Sequence, residues 1–276
     1  MQKEERKQQD STLFEGMTSL RALIDGIRKN GNTRRILKVL YDAEKTIKNY
    51  KNIGYLKAVS KELGFSVEET DAETLEAMTL GTSHGGIVAL TSERPLPCLS
   101  DAADLSENGF YVMIQGIEDP YNFGYALRSL YAMGCDGVVI PERNWMSAAG
   151  VVARSSAGAS ELLPMFTSDA LLAADLFKSR GYRVVCADER TEHVLGRCEL
   201  KLPLLLIVGG EKRGISKALV EKADLLVRID YGRAFHASLS AASATTIFAY
   251  EIARQNPNRA VLTVSSPSDA GAPLNP

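Results

Sequence analysis

The sequence of 276 residues lacks long hydrophobic runs. No stretch reaches about 18 uninterrupted apolar residues, so the sequence predicts neither a transmembrane helix nor a membrane partner. The first residues, MQKEERKQQDSTLFEG, are polar and lack the apolar core of a secretory signal. We therefore expect a cytoplasmic protein.

Cysteine is also scarce. The four cysteines are scattered along the chain, at Cys98, Cys135, Cys186 and Cys198. No two of them have the spacing of metal ligands, and no pattern of a disulfide framework is present. The sequence therefore predicts reduced thiols and no metal site.

The chain has no overall excess of positive charge, since its net charge is −2, but its charges are segregated. Residues 21–61 hold eleven basic residues against three acidic ones, a balance of +8, and residues 62–76 hold six acids and no base. A segregated basic lobe is typical of contacts with nucleic-acid phosphates. Ordinary solvated helix faces are the alternative interpretation of such charge runs.

Short apolar runs alternate with helical patterns along the chain, which predicts an α/β protein. The sequence predicts an N-terminal tail at residues 1–14 and a small α/β module at residues 15–93. Residues 94–106 contain two prolines and are predicted to be a linker. In residues 107–257 the alternation is stronger and predicts a parallel sheet covered on both faces. Residues 258–276 are rich in Pro, Ser, Ala and Gly and are expected to be a flexible tail.

Three segments of the C-terminal half follow predicted strands. In the first, Asn122 and Gly124 are expected at a turn and Arg128 about one turn inside the following helix. An arginine at the carboxyl end of a strand can grip a phosphate or polarise a hydroxyl. The alternative is a surface arginine on an amphipathic helix.

The second segment is a buried strand that ends at Val208 and continues into a turn with Gly209, Gly210, Glu211 and Gly214. Glycines let the backbone approach a ligand closely. The spacing fits neither a P-loop nor a G-x-G-x-x-G fingerprint, so it indicates no specific nucleotide, and a plain strand-to-helix turn stays open. An α/β enzyme with a nucleotide cofactor is disfavoured for the same reason.

The third segment has a strand that ends at Ile229, then a polar loop, then a helix rich in small residues from Ser240. The alternatives are a cofactor-binding loop or a core helix with Ser240 as its N-cap. A hydrolase that uses His236 and Ser238 is disfavoured, because no G-x-S-x-G elbow surrounds the serine.

Taken in order, these segments resemble the three signature motifs of the SpoU/TrmH RNA methyltransferases. The first is similar to the family's N-x-G-x-x-x-R, the second to its G-S-E-G-x-G, and the third to its S-L-N-V-S-V-A. Residues 152–164 resemble the family's S-x-G-A-x-E-x-x-P strand. Residues 83–89, SHGGIVA, resemble the end of the substrate-binding domain of relatives that act on ribosomal RNA.

The resemblance implies a trefoil-knotted SPOUT methyltransferase domain, a smaller N-terminal substrate-binding domain, a homodimer and the cofactor S-adenosylmethionine. It implies methylation of a ribose 2′-hydroxyl in RNA, with ribosomal RNA favoured over transfer RNA. The residues implied to border the cofactor are Val208, Gly209, Gly210, Glu211, Gly214, Ile229, Ser238 and Leu239. Those implied to form the catalytic group are Asn122, Arg128, Glu211, Ser238 and Ser240.

The chain departs from the family pattern in the third motif. Ser240 replaces the family's asparagine, Ala242 its second serine, and Asp230-Tyr231 its Pro-Met, in a loop one residue longer. A hydroxyl offers fewer hydrogen bonds than a carboxamide and reaches less far. A catalytically weak RNA-binding relative is therefore an alternative, and the sequence also leaves a transfer-RNA methyltransferase open.

Overall fold

The computed structural model describes residues 12–79, 84–101, 105–141, 148–210, 213–235 and 237–257. Residues 1–11 of the predicted N-terminal tail and the predicted C-terminal tail, residues 258–276, lie outside them. No helix within these described ranges combines the length and apolar character needed to cross a bilayer.

The N-terminal module is built on a four-stranded sheet in the order β1-β4-β2-β3, in which only β2 and β3 pair in parallel. The strands are β1 (Leu13–Glu15), β2 (Ile36–Asp42), β3 (Ser66–Thr70) and β4 (Ile87–Thr91). The helices are α1 (Gly16–Lys29), α2 (Thr46–Leu63) and α3 (Ala72–Met78). The predicted tail to residue 14 is therefore too long, because Leu13 and Phe14 are buried in a strand paired with β4.

Local sequence explains where these helices begin and end. The apolar residues Leu20, Leu23 and Ile24 of α1 recur at helical spacing and are buried against the sheet. Helix α2 ends at Leu63, and the following Gly64 adopts a left-handed φ of 74° that closes the helix. Asp71 caps α3 by accepting a hydrogen bond from the backbone N–H of Thr74.

The C-terminal module is a six-stranded, all-parallel sheet in the order β10-β8-β9-β5-β6-β7, which confirms the predicted α/β architecture. The strands are β5 (Phe110–Ile114), β6 (Gly137–Ile140), β7 (Met165–Thr167), β8 (Arg183–Ala187), β9 (Leu204–Val208) and β10 (Leu225–Val227). The helices are α4 (Pro120–Ala132), α5 (Ala149–Ser155), α6 (Ala159–Leu162), α7 (Ala170–Ser179), α8 (Lys217–Lys222) and α9 (Ala241–Gln255). The central strands β5 and β9 are completely buried, because helices cover both faces of the sheet.

Two local predictions are wrong. Asn122 and Gly124 lie inside helix α4 and not in a turn, because the Asp119 side chain caps the helix and Pro120 occupies its first turn. Residues 152–164 belong to helices α5 and α6 and not to a strand.

The two modules meet across α5 and α6. The guanidinium of Arg34 pairs with the carboxylate of Glu161 at 3.1 Å, and both side chains are at most 2% exposed. Asn32 donates to the same carboxylate, and Arg94 donates to the carbonyl of Ser160. The first part of the predicted linker is packed as well, since Leu99 is completely buried and Pro97 accepts a hydrogen bond from the N–H of Thr167 in β7.

Candidate active site

A cleft of about 990 Å³ lies at the carboxyl ends of β8, β9 and β10. The strands of a parallel sheet end at the same edge, which is where α/β proteins bind ligands. Seven predicted cofactor residues line this cleft: Val208, Gly209, Gly210, Gly214, Ile229, Ser238 and Leu239. Glu211 and His236 lie outside the described residues.

The glycine turn after β9 is closed by contacts between backbone atoms. A Cβ atom on Gly209 would lie 2.5 Å from the carbonyl carbon of Gly214, and one on Gly210 would lie 2.3 Å from the carbonyl oxygen of Gly116. Gly214 has a φ of 58° and donates its N–H to Gly210. Glycine is therefore required at 209 and 210 for this backbone packing, whereas the sequence analysis assigned these residues to close approach by a ligand.

The loop before α9 also lines the cleft. The N–H of Leu239 donates to the hydroxyl of Tyr231 at 3.2 Å. The hydroxyl of Ser240 accepts a hydrogen bond from the N–H of Ser243 and so caps α9. Ser238 lines the cleft, but Ser240 does not. The side chain of Ser240 has the role of the predicted N-cap.

Asn122 and Arg128 lie on α4, and neither lines the cleft. Helix α4 packs against α9, and the hydroxyl of Thr246 donates to that of Ser129 at 2.7 Å. Arg128 is exposed and makes no ion pair with a described residue. The structure therefore brings the glycine turn and the α9 loop together in one cleft, with Arg128 on the adjacent helix.

Charged residues that the sequence analysis did not select surround the cleft. Asp188 follows β8, and its carboxylate accepts hydrogen bonds from Nε and Nη2 of Arg190 at 2.9 and 2.6 Å. These bonds lower the pKa of Asp188 although its partial burial acts in the opposite direction. Arg228 pairs with Asp230 at 2.7 Å. The sequence does contain one indication of Asp188, because this residue directly follows the buried strand β8 and so lies at the edge of the sheet where ligands bind.

The fold and cleft define an α/β enzyme of the kind that binds a ligand at the edge of a parallel sheet. Residues 109–250, half of the chain, match the model of the SpoU rRNA methylase family. The chain therefore belongs to the SpoU rRNA methylase family. This membership confirms the predicted class, an RNA 2′-O-ribose methyltransferase that uses S-adenosylmethionine.

Individual relatives agree with this assignment. YacO of Bacillus subtilis, assigned to the TrmH family of tRNA/rRNA methyltransferases, is 29% identical over 226 residues, which cover 80% of this chain and 89% of YacO. RlmB of Shewanella oneidensis, a 23S rRNA (guanosine-2′-O-)-methyltransferase, is 28% identical over 71% of this chain and 81% of its own. An AdoMet-bound rRNA methyltransferase from Sinorhizobium meliloti has the same fold, with a TM-score of 0.73, 22% identity, and coverage of 88% of this chain and 87% of that one.

Proposed function

We propose that this chain methylates a ribose 2′-hydroxyl of ribosomal RNA in the cytoplasm, with S-adenosylmethionine in the cleft after β8, β9 and β10. Residues 15–93 would bind RNA and residues 107–257 would form the knotted methyltransferase domain. The observation that carries the proposal is the convergence of the glycine turn and the α9 loop on one cleft. The RlmB relatives, named as 23S rRNA methyltransferases, favour ribosomal over transfer RNA as the substrate.

The residues of the cleft fit S-adenosylmethionine. Val208, Ile229 and Leu239 provide an apolar wall that suits a flat adenine ring. The carboxylate of Asp188 lies at the same edge, where it can accept hydrogen bonds from hydroxyl or ammonium groups. When bound, the cofactor supplies a methyl group on a positively charged sulfonium.

The substrate hydroxyl has to become nucleophilic, and Arg128 is the residue proposed to assist. A guanidinium stays protonated at all ordinary pH values, so Arg128 stabilises the developing negative charge on oxygen and does not act as a base. Asn122 and Glu211 are proposed to orient it, and Ser238 and Ser240 to lie beside the reacting groups. Positioning a hydroxyl and a methyl group for attack contributes about 7–11 kcal/mol to such a reaction.

The proposed homodimer pairs the faces of α4 and α9. These helices expose Tyr121, Tyr125, Ile247 and Tyr250, which are 38–57% exposed. Apolar surface of this kind on two adjacent helices is typical of a protein interface. Pairing of two copies would also place Arg128 of one α4 close to the second copy.

The proposed RNA-binding surface includes only some of the basic residues in the basic lobe, residues 21–61. Five of its eleven basic residues are in salt bridges, with the pairs Arg28–Glu62, Lys29–Asp25, Arg34–Glu161, Lys38–Glu68 and Lys45–Asp42. Helix α2 exposes Lys48, Lys51, Lys57 and Lys61. Tyr50 on the same helix is 63% exposed and offers a ring on which a base can stack.

A second candidate is an RNA-binding relative with weak catalysis. It is supported by Ser240, which caps α9 outside the cleft lining, and by Ala242, which is buried. The discriminating result is S-adenosylmethionine binding in calorimetry without methyl incorporation into any RNA.

The test of the proposed function is Arg128→Ala. We expect methyl transfer to ribosomal RNA from cells that lack the gene to fall by about 100- to 1000-fold, because a charge-stabilising donor is lost. The measurement is incorporation of tritiated methyl groups. Arg197→Ala, an exposed arginine outside the cleft, is the control and should keep full activity. A near wild-type rate for Arg128→Ala would remove Arg128 from the mechanism.

A further inference from the structure

Two exposed aromatic rings lie in the cleft wall between β10 and α9. Tyr231 is 40% exposed and Phe235 is 58% exposed, and their ring centroids are 6.1 Å apart at an angle of 64°. The hydroxyl of Tyr231 is held by the N–H of Leu239, so this ring has a fixed anchor. Phe235 has no polar atom in its side chain, and most of its ring faces solvent. Burial of an exposed phenylalanine is favourable, so such a ring in a cleft is suited to contact a ligand.

Two arginines that line the same cleft, Arg213 and Arg233, are available for an anion. Arg190 and Arg228 are each paired with a carboxylate, of Asp188 and Asp230. Arg213 and Arg233 line the same cleft and are exposed, and neither makes an ion pair within the described part of the chain. Guanidinium groups bind phosphate oxygens with strong, directional hydrogen bonds. The cleft thus combines aromatic surface with positive charge, the two features that a nucleotide requires.

The cleft also has room for more than a cofactor. Its volume of about 990 Å³ is at the upper end of the range of about 300–1,000 Å³ for small-molecule sites. Val208 ends β9 beside the glycine turn, whereas Ile229, Tyr231, Phe235 and Leu239 belong to the loop between β10 and α9. The volume of the cleft, between the glycine turn and this loop, leaves room for a nucleotide beside a cofactor.

We propose that Tyr231 and Phe235 stack the base of the target nucleotide while Arg213 and Arg233 hold the adjacent phosphates. The inference rests on the proposed function, since it assigns the substrate part of the same cleft. Enzymes that act on single nucleotides of folded RNA recognise unstacked bases on aromatic rings. Stacking tolerates any base, so these residues provide affinity and position more than base selectivity.

The test starts with Phe235, because its ring makes no hydrogen bond. Phe235→Ala and Phe235→Leu remove the ring, and Phe235→Tyr keeps it. Binding of a fluorescein-labelled single-stranded RNA of twelve nucleotides is measured by anisotropy with S-adenosylhomocysteine present. We expect Kd to rise about tenfold for Ala and Leu and to stay within twofold for Tyr. The melting temperature of each variant checks that it is folded.

The arginines are tested with Arg233→Ala against the matched control Arg197→Ala, which removes an arginine outside the cleft. Loss of a phosphate contact lowers the slope of log Kd against log salt concentration by about 0.7 for single-stranded RNA. We expect this decrease for Arg233→Ala only.

Three results would overturn the proposal. The first is unchanged RNA affinity in Phe235→Ala. The second is weaker S-adenosylmethionine binding with unchanged RNA affinity, which would assign the rings to the cofactor. The third is an equal loss for the Leu and Tyr variants, which excludes stacking. These results can be distinguished from a failure of the proposed function, because anisotropy measures RNA binding whether or not any RNA is methylated.

Discussion

The carboxylate of Asp188 is largely buried at the edge of the cleft, where it accepts two hydrogen bonds from the guanidinium of Arg190 and one from its backbone N–H. These bonds keep its pKa below the usual value. A carboxyl with a lowered pKa in the folded state stabilises the protein above its unfolded pKa of about 3.9, and this contribution disappears as pH falls through the folded value. Acid should therefore weaken the interaction.

We predict that Arg190→Ala lowers the melting temperature at pH 7 and that the difference from wild type decreases below about pH 4. Melting curves at pH 7, 5 and 3 provide the measurement. Arg197→Ala is the control, since no described carboxylate pairs with that residue. A difference between Arg190→Ala and wild type that stays constant from pH 7 to pH 3 would contradict the assigned pairing.

At the scale of elements, the close contact between α4 and α5 requires a residue without a side chain at position 124. A Cβ atom on Gly124 would lie 1.9 Å from Oγ of Ser155 and 3.0 Å from the N–H nitrogen of Ser156. By contrast, a Cβ atom on Gly54 of α2 would meet nothing within 4 Å. Helix packing therefore requires glycine at position 124, whereas the space around position 54 would accept a larger residue.

Alanine at these two positions should change stability in opposite directions. Gly124→Ala is expected to lower the free energy of unfolding by about 1–3 kcal/mol through overpacking. Gly54→Ala is expected to raise it by about 0.5–1 kcal/mol, because alanine favours a helix over glycine. Urea unfolding of both variants measures these changes. A stabilised Gly124→Ala variant would show that α4 can move away from α5 without cost.

Periodicity and strand-end glycines were sufficient to predict most elements and the cleft. The sequence places Asn122 and Gly124 at a turn because both are common turn residues. The actual helix start signal, Asp119-Pro120, lies a few residues earlier in the chain. The position of Arg128 outside the cleft depends on how α4 packs against α9, which no local pattern encodes. The Asp188–Arg190 pair was missed because its importance depends on the order of strands in the sheet.

At the scale of the whole molecule, a cluster of buried charges lies between the two modules. Glu161 accepts hydrogen bonds from Arg34 and Asn32, and the Nη1 atom of Arg94 lies 4.0 Å from it. Loss of one partner of a buried ion pair leaves an uncompensated charge in a medium of low dielectric constant. Removal of the negative charge of Glu161 is therefore expected to destabilise this interface.

Glu161→Gln should lower the free energy of unfolding by about 3–5 kcal/mol, because it leaves Arg34 buried without a counter-charge. Glu221→Gln, in the exposed pair with Lys217, is the control and should change it by less than about 1 kcal/mol. Both values come from urea unfolding. If the two variants unfold at the same urea concentration, the buried pair does not hold the modules together.

The same interface limits how the N-terminal module can be exchanged between relatives. A Cβ atom on Gly26 would lie 2.1 Å from the carbonyl oxygen of Glu161, and one on Gly158 would lie 2.2 Å from Cβ of Ala22. A chimera that takes its first ninety or so residues from another family member inherits only one side of these contacts. Recombination between relatives should therefore yield folded enzymes only where both sides of this junction descend from the same parent.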